Sequence, residues 1–108
     1  MAVVKQYEIF FVNLDPTVGA EVKKTRPAVV ISPDEMNRYL RTVIIAPITS
    51  SIKNYPSRVG VTLQNRQGQI MLDQIRAIDK TRLTRKGGKL NPAKTAEVKG
   101  ILREMLVD

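Results

Sequence analysis

Residues 7–30 read YEIFFVNLDPTVGAEVKKTRPAVV, and their alternation of apolar and strand-breaking segments decides the fold. The run Tyr7–Leu14 is aromatic and β-branched, which is typical of a strand that is buried at its centre. Asp15-Pro16 and Gly19 end this run, because Pro removes a ladder donor and Gly permits a turn. A second apolar run, Pro27–Ser32, has its Pro at the start, where the missing N–H does no harm. These residues predict two strands joined by a polar loop.

Other short apolar runs predict that the rest of the chain is also mainly β. The further strands are expected over Thr42–Ile48, Arg58–Leu63, Gln69–Ile75 and the adjoining Arg76–Asp79. Turns are expected at Gln64–Gly68 and at Gly87-Gly88. A short helical turn is expected over Pro33–Leu40, because Pro and acidic residues come early in it.

The C-terminal segment predicts the one strong helix. Asn91 suits the N-cap and Pro92 suits the first helical position. Five apolar residues recur at helical spacing and form one stripe: Val98, Ile101, Leu102, Met105 and Leu106. Several short strands and one terminal helix predict a small, strongly bent sheet or barrel, in a single domain over residues 1–108.

Composition narrows the possible chemistry. The chain has 108 residues, 18 basic and 10 acidic side chains, and a formal net charge of +8. A small domain of this charge is typical of proteins that meet an anionic partner. The chain has no Cys and no His, which excludes a disulfide framework, a thiol nucleophile, zinc sites built on those residues, and His acid–base catalysis. Composition alone leaves possible a metal held only by carboxylates, such as Mg²⁺, but the chain is expected to use no metal or cofactor.

The sequence also bears on location. No apolar run approaches the roughly 20 residues that a helix needs to cross a bilayer. The start of the chain has no long apolar region followed by a small-residue cleavage site, so no signal peptide is expected. These features predict a cytoplasmic protein without membrane contact.

Three motifs occur in order along the chain. The first runs from Asp15-Pro16 to Arg26-Pro27 and includes Gly19 and Glu21. The second is Pro47-Ile48-Thr49-Ser50, and the third is Asp73–Leu83. Together they resemble the MazF/PemK toxin family over almost the whole chain. The resemblance implies an SH3-like β-barrel (the CcdB/MazF/PemK toxin fold) with a C-terminal helix. It also implies a homodimeric, sequence-selective endoribonuclease, or mRNA interferase, which a small antitoxin with an acidic tail restrains.

Two residues suit the chemistry that the resemblance implies. The 2′-OH of RNA attacks the adjacent phosphorus, so the protein has to orient the strand and stabilise charge on the phosphoryl oxygens. The planar fork of Arg26 binds two phosphate oxygens at once, and the hydroxyl of Thr49 donates to one. In the family, the arginine of Arg-Pro and the threonine of Pro-x-Thr are catalytic, which implies the same roles for Arg26 and Thr49. The products would be a 2′,3′-cyclic phosphate and a 5′-hydroxyl.

The general base stays open between two carboxylates. Glu21 is the nearest to Arg26 in sequence, and the family's matching glutamate has a supporting role. Asp73 is the alternative. In the Kid/PemK branch a His follows the loop glycine and an Arg lies two residues before the aspartate. Those positions hold Ala20 and Met71 here, which favours the MazF-like version with Arg and Thr.

Other polar residues are expected to contact single-stranded RNA. The expected substrate-binding residues are Gly19, Lys23, Lys24, Ser50, Tyr55, Gln74 and Arg76. The lysine pair would attract the RNA backbone, and Tyr55 would stack on a base or pack against its own turn. The basic cluster over Arg76–Lys89 is a surface for phosphate or for an acidic partner, or else only a solubilising charge.

Two other functions remain open at this point. A CcdB-like toxin of the same fold would bind DNA gyrase without cutting RNA, but that activity is tied to a C-terminal pattern involving Trp, and the chain has no Trp. An SH3-like module would bind nucleic acid without turnover.

Overall fold

The computed structural model describes residues 3–13 and 25–107. It contains seven strands, which are β1 (Glu8–Asn13), β2 (Thr25–Val30), β3 (Thr42–Thr49), β4 (Arg58–Leu63), β5 (Arg66–Met71), β6 (Arg76–Asp79) and β7 (Leu83–Lys89). The helices are α1 (Asp34–Tyr39) and α2 (Pro92–Leu106), and two 3₁₀ turns span Leu72–Gln74 and Lys80–Arg82. None of the helices in these described ranges is long and apolar enough to cross a membrane.

The strands form one antiparallel sheet in the order β4-β5-β3-β2-β1-β7, with β6 beside β3. Strand β3 changes partner along one edge. Thr42–Ile45 pair with β6, whereas Ile48 and Thr49 pair with β5. The sheet curls into a half-barrel as a result, and the end of β3 lies where strands β2, β3 and β5 meet.

Alternation along the strands gives the sheet two apolar faces. Ile9 of β1 and Val29 of β2 belong to one buried cluster, which Val98 of α2 covers. Phe10 and Val30, the next residues along, belong to the cluster on the other face. Both central strands are therefore buried on both faces, which explains their almost continuous apolar sequences.

The mainly β fold with a C-terminal helix is confirmed, and the helix starts for the predicted reason. The Asn91 side chain accepts a hydrogen bond from the backbone N–H of Lys94 at 2.8 Å, and Pro92 occupies the first helical turn. The predicted apolar stripe is buried only in part. Val98 is fully buried, but Met105 is 41% and Leu106 is 65% exposed, because the helix extends past the sheet that covers its first turns.

Two local predictions are wrong. The strand expected over Gln69–Ile75 ends at Met71, because the chain turns there to bury Leu72, whose N–H donates to the Ser57 carbonyl. Gly87-Gly88 is not a turn between elements but lies inside β7, next to a register shift between Ile9 and Phe10. Gly88 has φ +121°, so the glycine pair forms a bulge that a strand of other residues would resist.

The predicted turn at Gln64–Gly68 is shorter than expected. Leu63 pairs with Arg66, so only Gln64 and Asn65 connect β4 to β5. Both residues have positive φ, 51° and 63°. This is the conformation of a two-residue hairpin turn whose twist matches that of the strands.

Candidate active site

The two residues expected to be catalytic lie on neighbouring strands in matching register. Strands β2 and β3 pair Ala28 with Pro47 and Val29 with Ala46. The pairing ends at Ala28 and Pro47, and Arg26 and Thr49 each lie two residues beyond that last pair. Residues two positions apart along a strand share a face, so both side chains belong to the same side of the sheet.

Arg26 and Thr49 line one open cleft of about 310 Å³. The ends of β2 and β3 form one side of it, through Arg26, Pro27, Thr49 and Ser50. Phe11 contributes apolar surface, and the β4–β5 hairpin forms the opposite wall. A cleft of this size admits a nucleotide-sized group.

The Thr49 hydroxyl is oriented by its own turn. Its oxygen accepts a hydrogen bond from the backbone N–H of Ser51 at 3.1 Å. The contact occupies a lone pair and leaves the hydroxyl proton available to a ligand. Thr49 is therefore held as a donor at the end of β3.

Arg26 is exposed at the start of β2, and its backbone is held between β1 and Pro27. Within residues 3–13 and 25–107, no carboxylate lies within ion-pair distance of Arg26. Asp73 pairs with Arg58 rather than with Arg26. The guanidinium faces the cleft as an anion-binding group.

The hairpin contributes residues that sequence reasoning missed. Gln64, Arg66 and Gln67 all line the cleft and are all exposed. Arg66 adds a second guanidinium to the same cleft as Arg26. The sequence gives only a weak indication of this hairpin. Two-residue hairpin turns are usually Asn-Gly or Asp-Gly, whereas the turn that presents these side chains is Gln64-Asn65.

Asp73 does not line the Arg26–Thr49 cleft. Its Oδ1 accepts hydrogen bonds from Arg58 Nε and from Ser57 Oγ, each at 3.0 Å. Desolvation alone would raise the pKa of Asp73. The hydrogen bonds from Arg58, from the backbone and from Ser57, with the charge of Arg58, outweigh it, so the pKa lies below its usual value. A carboxylate stabilised in this way is a weak proton acceptor.

The other expected binding residues divide into three groups. Ser50 lines the cleft. Tyr55 is 51% exposed, and the Arg58 guanidinium lies 4.9 Å from its ring centroid. Gln74 and Arg76 are exposed on the 3₁₀ turn and on β6, outside the cleft lining. Gly19, Glu21, Lys23 and Lys24, which are also expected site residues, lie outside the described residues.

The basic cluster over Arg76–Lys89 is partly structural. Lys80 donates to the Asn37 carbonyl and Arg82 donates to the Asn13 carbonyl. Arg85 lies 3.9 Å from the centre of the Phe11 ring, and Lys86 pairs with the buried Glu8 at 2.5 Å. Much of the positive charge that the sequence assigned to partners therefore also stabilises the fold.

A protein-family profile and two relatives match most of this chain. The profile of the PemK-like, MazF-like toxins of type II toxin–antitoxin systems matches residues 5–106. The chain is 40% identical over 90 residues to Endoribonuclease EndoA of Bacillus subtilis, covering 78% of each chain. It is 33% identical to Endoribonuclease MazF of Staphylococcus epidermidis over 105 residues, which is 92% of this chain and 88% of that protein.

A solved structure extends the comparison to the fold. The chain superposes on MazF in a MazE–MazF crystal structure from Deinococcus radiodurans with a TM-score of 0.80 and 29% identity. The match covers 98% of this chain and 97% of that one. The profile, the sequence relatives and the fold agree, and the chain belongs to the PemK-like, MazF-like toxins of type II toxin–antitoxin systems.

Proposed function

We propose that this protein is an endoribonuclease that cuts single-stranded RNA, mRNA included, in the Arg26–Thr49 cleft. The observation that carries the proposal is the meeting of an anion-binding guanidinium and an oriented hydroxyl on one face of the sheet. Two relatives with at least 33% identity are named endoribonucleases, which supports the same activity here. The chain acts as the toxin of a toxin–antitoxin pair.

The reaction uses the substrate's own nucleophile. The 2′-OH loses its proton to a general base as it attacks the adjacent phosphorus, the bond from phosphorus to the 5′-oxygen breaks, and water protonates the leaving 5′-oxygen, so that the products are a 2′,3′-cyclic phosphate and a 5′-hydroxyl. Arg26 binds the non-bridging oxygens as negative charge grows on them, and Thr49 donates its hydroxyl proton to one of them. This scheme moves protons and needs no redox group or metal.

We assign the general base to Glu21 in preference to Asp73. Asp73 lies outside the cleft lining, is held by Arg58 and Ser57, and has a lowered pKa, and each of these facts makes it a poor base. Glu21 precedes Arg26 by five residues in the sequence. Glu21→Gln should abolish cleavage, whereas Asp73→Asn should leave the acidic limb of the pH–rate profile in place, because that limb reports ionisation of the general base. The reverse pattern would assign the base to Asp73.

The RNA-binding surface extends from the cleft. Ser50, Gln64, Arg66 and Gln67 contact the nucleotides next to the scissile phosphate, and Tyr55 stacks on a base further along. Gly19, Lys23, Lys24, Gln74 and Arg76 are proposed to bind RNA as well. The basic residues among them make binding salt-dependent, because each neutralised phosphate releases counterions.

The toxin works with protein partners. The solved relative is a MazE–MazF complex, which supports a cognate antitoxin for this chain, with an acidic tail that suits its net charge of +8. We propose a homodimer as the active form, located in the cytoplasm, where its mRNA substrate is found. The exposed large apolar side chains Tyr39, Leu40, Leu106 and Val107 are candidates for the dimer surface. Sedimentation of the free chain tests the dimer.

A substrate with one altered sugar tests the chemistry. An RNA oligonucleotide is made around a mapped cut site, with and without a single 2′-deoxy sugar on the 5′ side of the scissile bond. The proposal predicts cleavage of the all-RNA strand and none at the altered position. Cleavage at that position would show that the nucleophile is not the 2′-OH and would overturn the mechanism.

A further inference from the structure

A glutamine directly beside Thr49 makes contacts that the proposed reaction does not use. Strands β3 and β5 pair Thr49 with Gln69, and Arg26 of β2 lines the same cleft as Thr49. Gln69 therefore lies on the strand next to the proposed catalytic pair. The side chain of Gln69 does not line the cleft but reaches into the loop over residues 50–57, which we call the β3–β4 loop.

Gln69 satisfies both backbone polar groups of one residue in that loop. Its Oε1 accepts from the Lys53 N–H at 3.0 Å, and its Nε2 donates to the Lys53 carbonyl at 2.9 Å. This is the pairing that a neighbouring strand would provide, made here by a side chain. Residues 50–56 are all exposed, so little apolar burial is available to hold them.

Arg58 connects this contact to the far end of the loop. Its Nη1 donates to Gln69 Oε1 at 3.4 Å and its Nε to Asp73 at 3.0 Å. The guanidinium also stacks on Tyr55, and only 7% of the Arg58 side chain is exposed. Gln69 and Asp73 thus fix Arg58, and Arg58 supports the ring of Tyr55, which stays half exposed to solvent.

We propose that Gln69 is a positioning residue that holds the β3–β4 loop in its RNA-binding conformation. The inference rests on the proposed endoribonuclease function and adds a residue that acts through Lys53 and Arg58 rather than on the reacting atoms. A loop that is ordered before binding loses less conformational entropy when the RNA arrives. The effect falls on affinity for nucleotides beside the scissile phosphate, and so on sequence preference, rather than on the chemical step.

Two substitutions separate the parts of this contact. Gln69→Leu removes all the hydrogen bonds at similar size. Gln69→Glu keeps the acceptor for the Lys53 N–H and for Arg58 but loses the donor to the Lys53 carbonyl. Thr62→Val is the matched control, because Thr62 is an exposed polar residue on the adjacent strand β4.

The first measurement needs no enzymatic activity. Amide hydrogen exchange at Lys53 reports the loop contact directly, with the Thr49 amide as an internal reference and circular dichroism as the folding control. We expect Gln69→Leu to speed exchange at Lys53 by about tenfold, the effect of one lost hydrogen bond, while Gln69→Glu and Thr62→Val retain protection. Unchanged exchange at Lys53 in Gln69→Leu would overturn the proposal. If Gln69→Leu does not fold, Gln69→Asn, whose side chain is one methylene shorter, tests it by the same faster exchange at Lys53.

The second measurement connects the contact to RNA. The dissociation constant is taken for an RNA oligonucleotide carrying one 2′-deoxy sugar at the cut site, and kcat for the all-RNA strand. We expect Gln69→Leu to weaken RNA binding about tenfold, while kcat stays within about twofold of the wild-type value. In a double-mutant cycle, adding Tyr55→Ala to Gln69→Leu should weaken binding no further. A fall in kcat without a change in binding would contradict the proposal. A wild-type chain that cuts no RNA would contradict the proposed function instead, and Lys53 exchange would still test the loop contact.

Discussion

Gly68 of β5 lies so close to the end of β3 that a β-carbon on it would come within 2.9 Å of the Thr49 carbonyl oxygen. Real β-carbons essentially never approach a backbone oxygen this closely, so the absence of a side chain at position 68 sets the distance between the two strands. The proposed donor Thr49 and the cleft wall at Gly68 are thereby held together.

Gly68→Ala is expected to separate the strands and move Thr49. We expect a loss of stability of about 1–3 kcal/mol, as for other overpacked sites, and a lower rate of RNA cleavage. Gly60→Ala is the matched control, because Gly60 lies on the adjacent strand and a β-carbon there meets nothing within 4 Å. Urea unfolding and cleavage rates are measured for both. A Gly68→Ala protein as stable and as active as Gly60→Ala would show that the close approach does not matter.

The hydroxyl of Thr49 is expected to be essential, and its methyl group is not. Thr49→Val removes the donor and should lower kcat by about 10²–10³, the usual cost of losing one donor to a transition-state oxyanion. Thr49→Ser should keep most of the activity. Thr42→Val, at the exposed opposite end of β3, is the control and should cleave at the wild-type rate. Equal activity of Thr49→Val and Thr49→Ser would remove Thr49 from the mechanism.

The lowered pKa of Asp73 predicts how the free energy of unfolding changes in acid. Its pKa is lowered in the folded chain, so the unfolded chain binds the proton more readily. The stabilising effect of the ionised Asp73 is therefore complete above the unfolded pKa and is lost as the pH falls through the folded pKa. Asp73→Asn should be less stable at neutral pH and lose less stability in acid. Parallel acid-unfolding profiles of the two proteins, followed by circular dichroism, would contradict this reading.

The hairpin turn offers a stabilising substitution. Asn65 has φ +63°, and glycine adopts this conformation at lower cost. Asn65→Gly should raise Tm by a few degrees, because the left-handed conformation costs about 1–2 kcal/mol with a β-carbon and this relief exceeds the roughly 0.5–1 kcal/mol of backbone entropy that glycine costs, while Asn65→Ala should lower Tm. Asn65 is not among the cleft-lining residues, so cleavage should stay at the wild-type rate in Asn65→Gly. A lower Tm for Asn65→Gly would mean that the Asn side chain makes a contact that outweighs its backbone strain.

Features that depend on neighbouring residues were predictable from the sequence. The start of α2 is set by the Asn91 cap and Pro92, and both signals are local. The strands β1, β2, β3 and β4 follow from short apolar runs. The motifs identify Arg26 and Thr49 as candidates. Their meeting in one cleft depends on how β2 and β3 pair, which no local sequence pattern specifies.

Two of the errors in prediction come from contacts between residues far apart in the sequence. Gly87-Gly88 has the composition of a turn, yet both residues lie in β7. Position 87 needs glycine because a β-carbon there would meet the Phe11 ring at 2.8 Å. Gln69 showed no motif, and its role in the β3–β4 loop appears only once β5 is placed beside β3. Arg66 was missed because the turn that presents it uses an uncommon pair of residues.

Cleavage of a long, defined RNA by the purified wild-type chain and by Arg26→Ala tests the central claim most directly. The reactions are run in EDTA, the ends of the products are mapped, and circular dichroism confirms that both proteins are folded. We expect discrete cuts with 5′-hydroxyl ends from the wild-type protein, and at least about 10²-fold less cleavage from Arg26→Ala. Intact RNA with a folded, antitoxin-free wild type, or full activity in a folded Arg26→Ala, would contradict it.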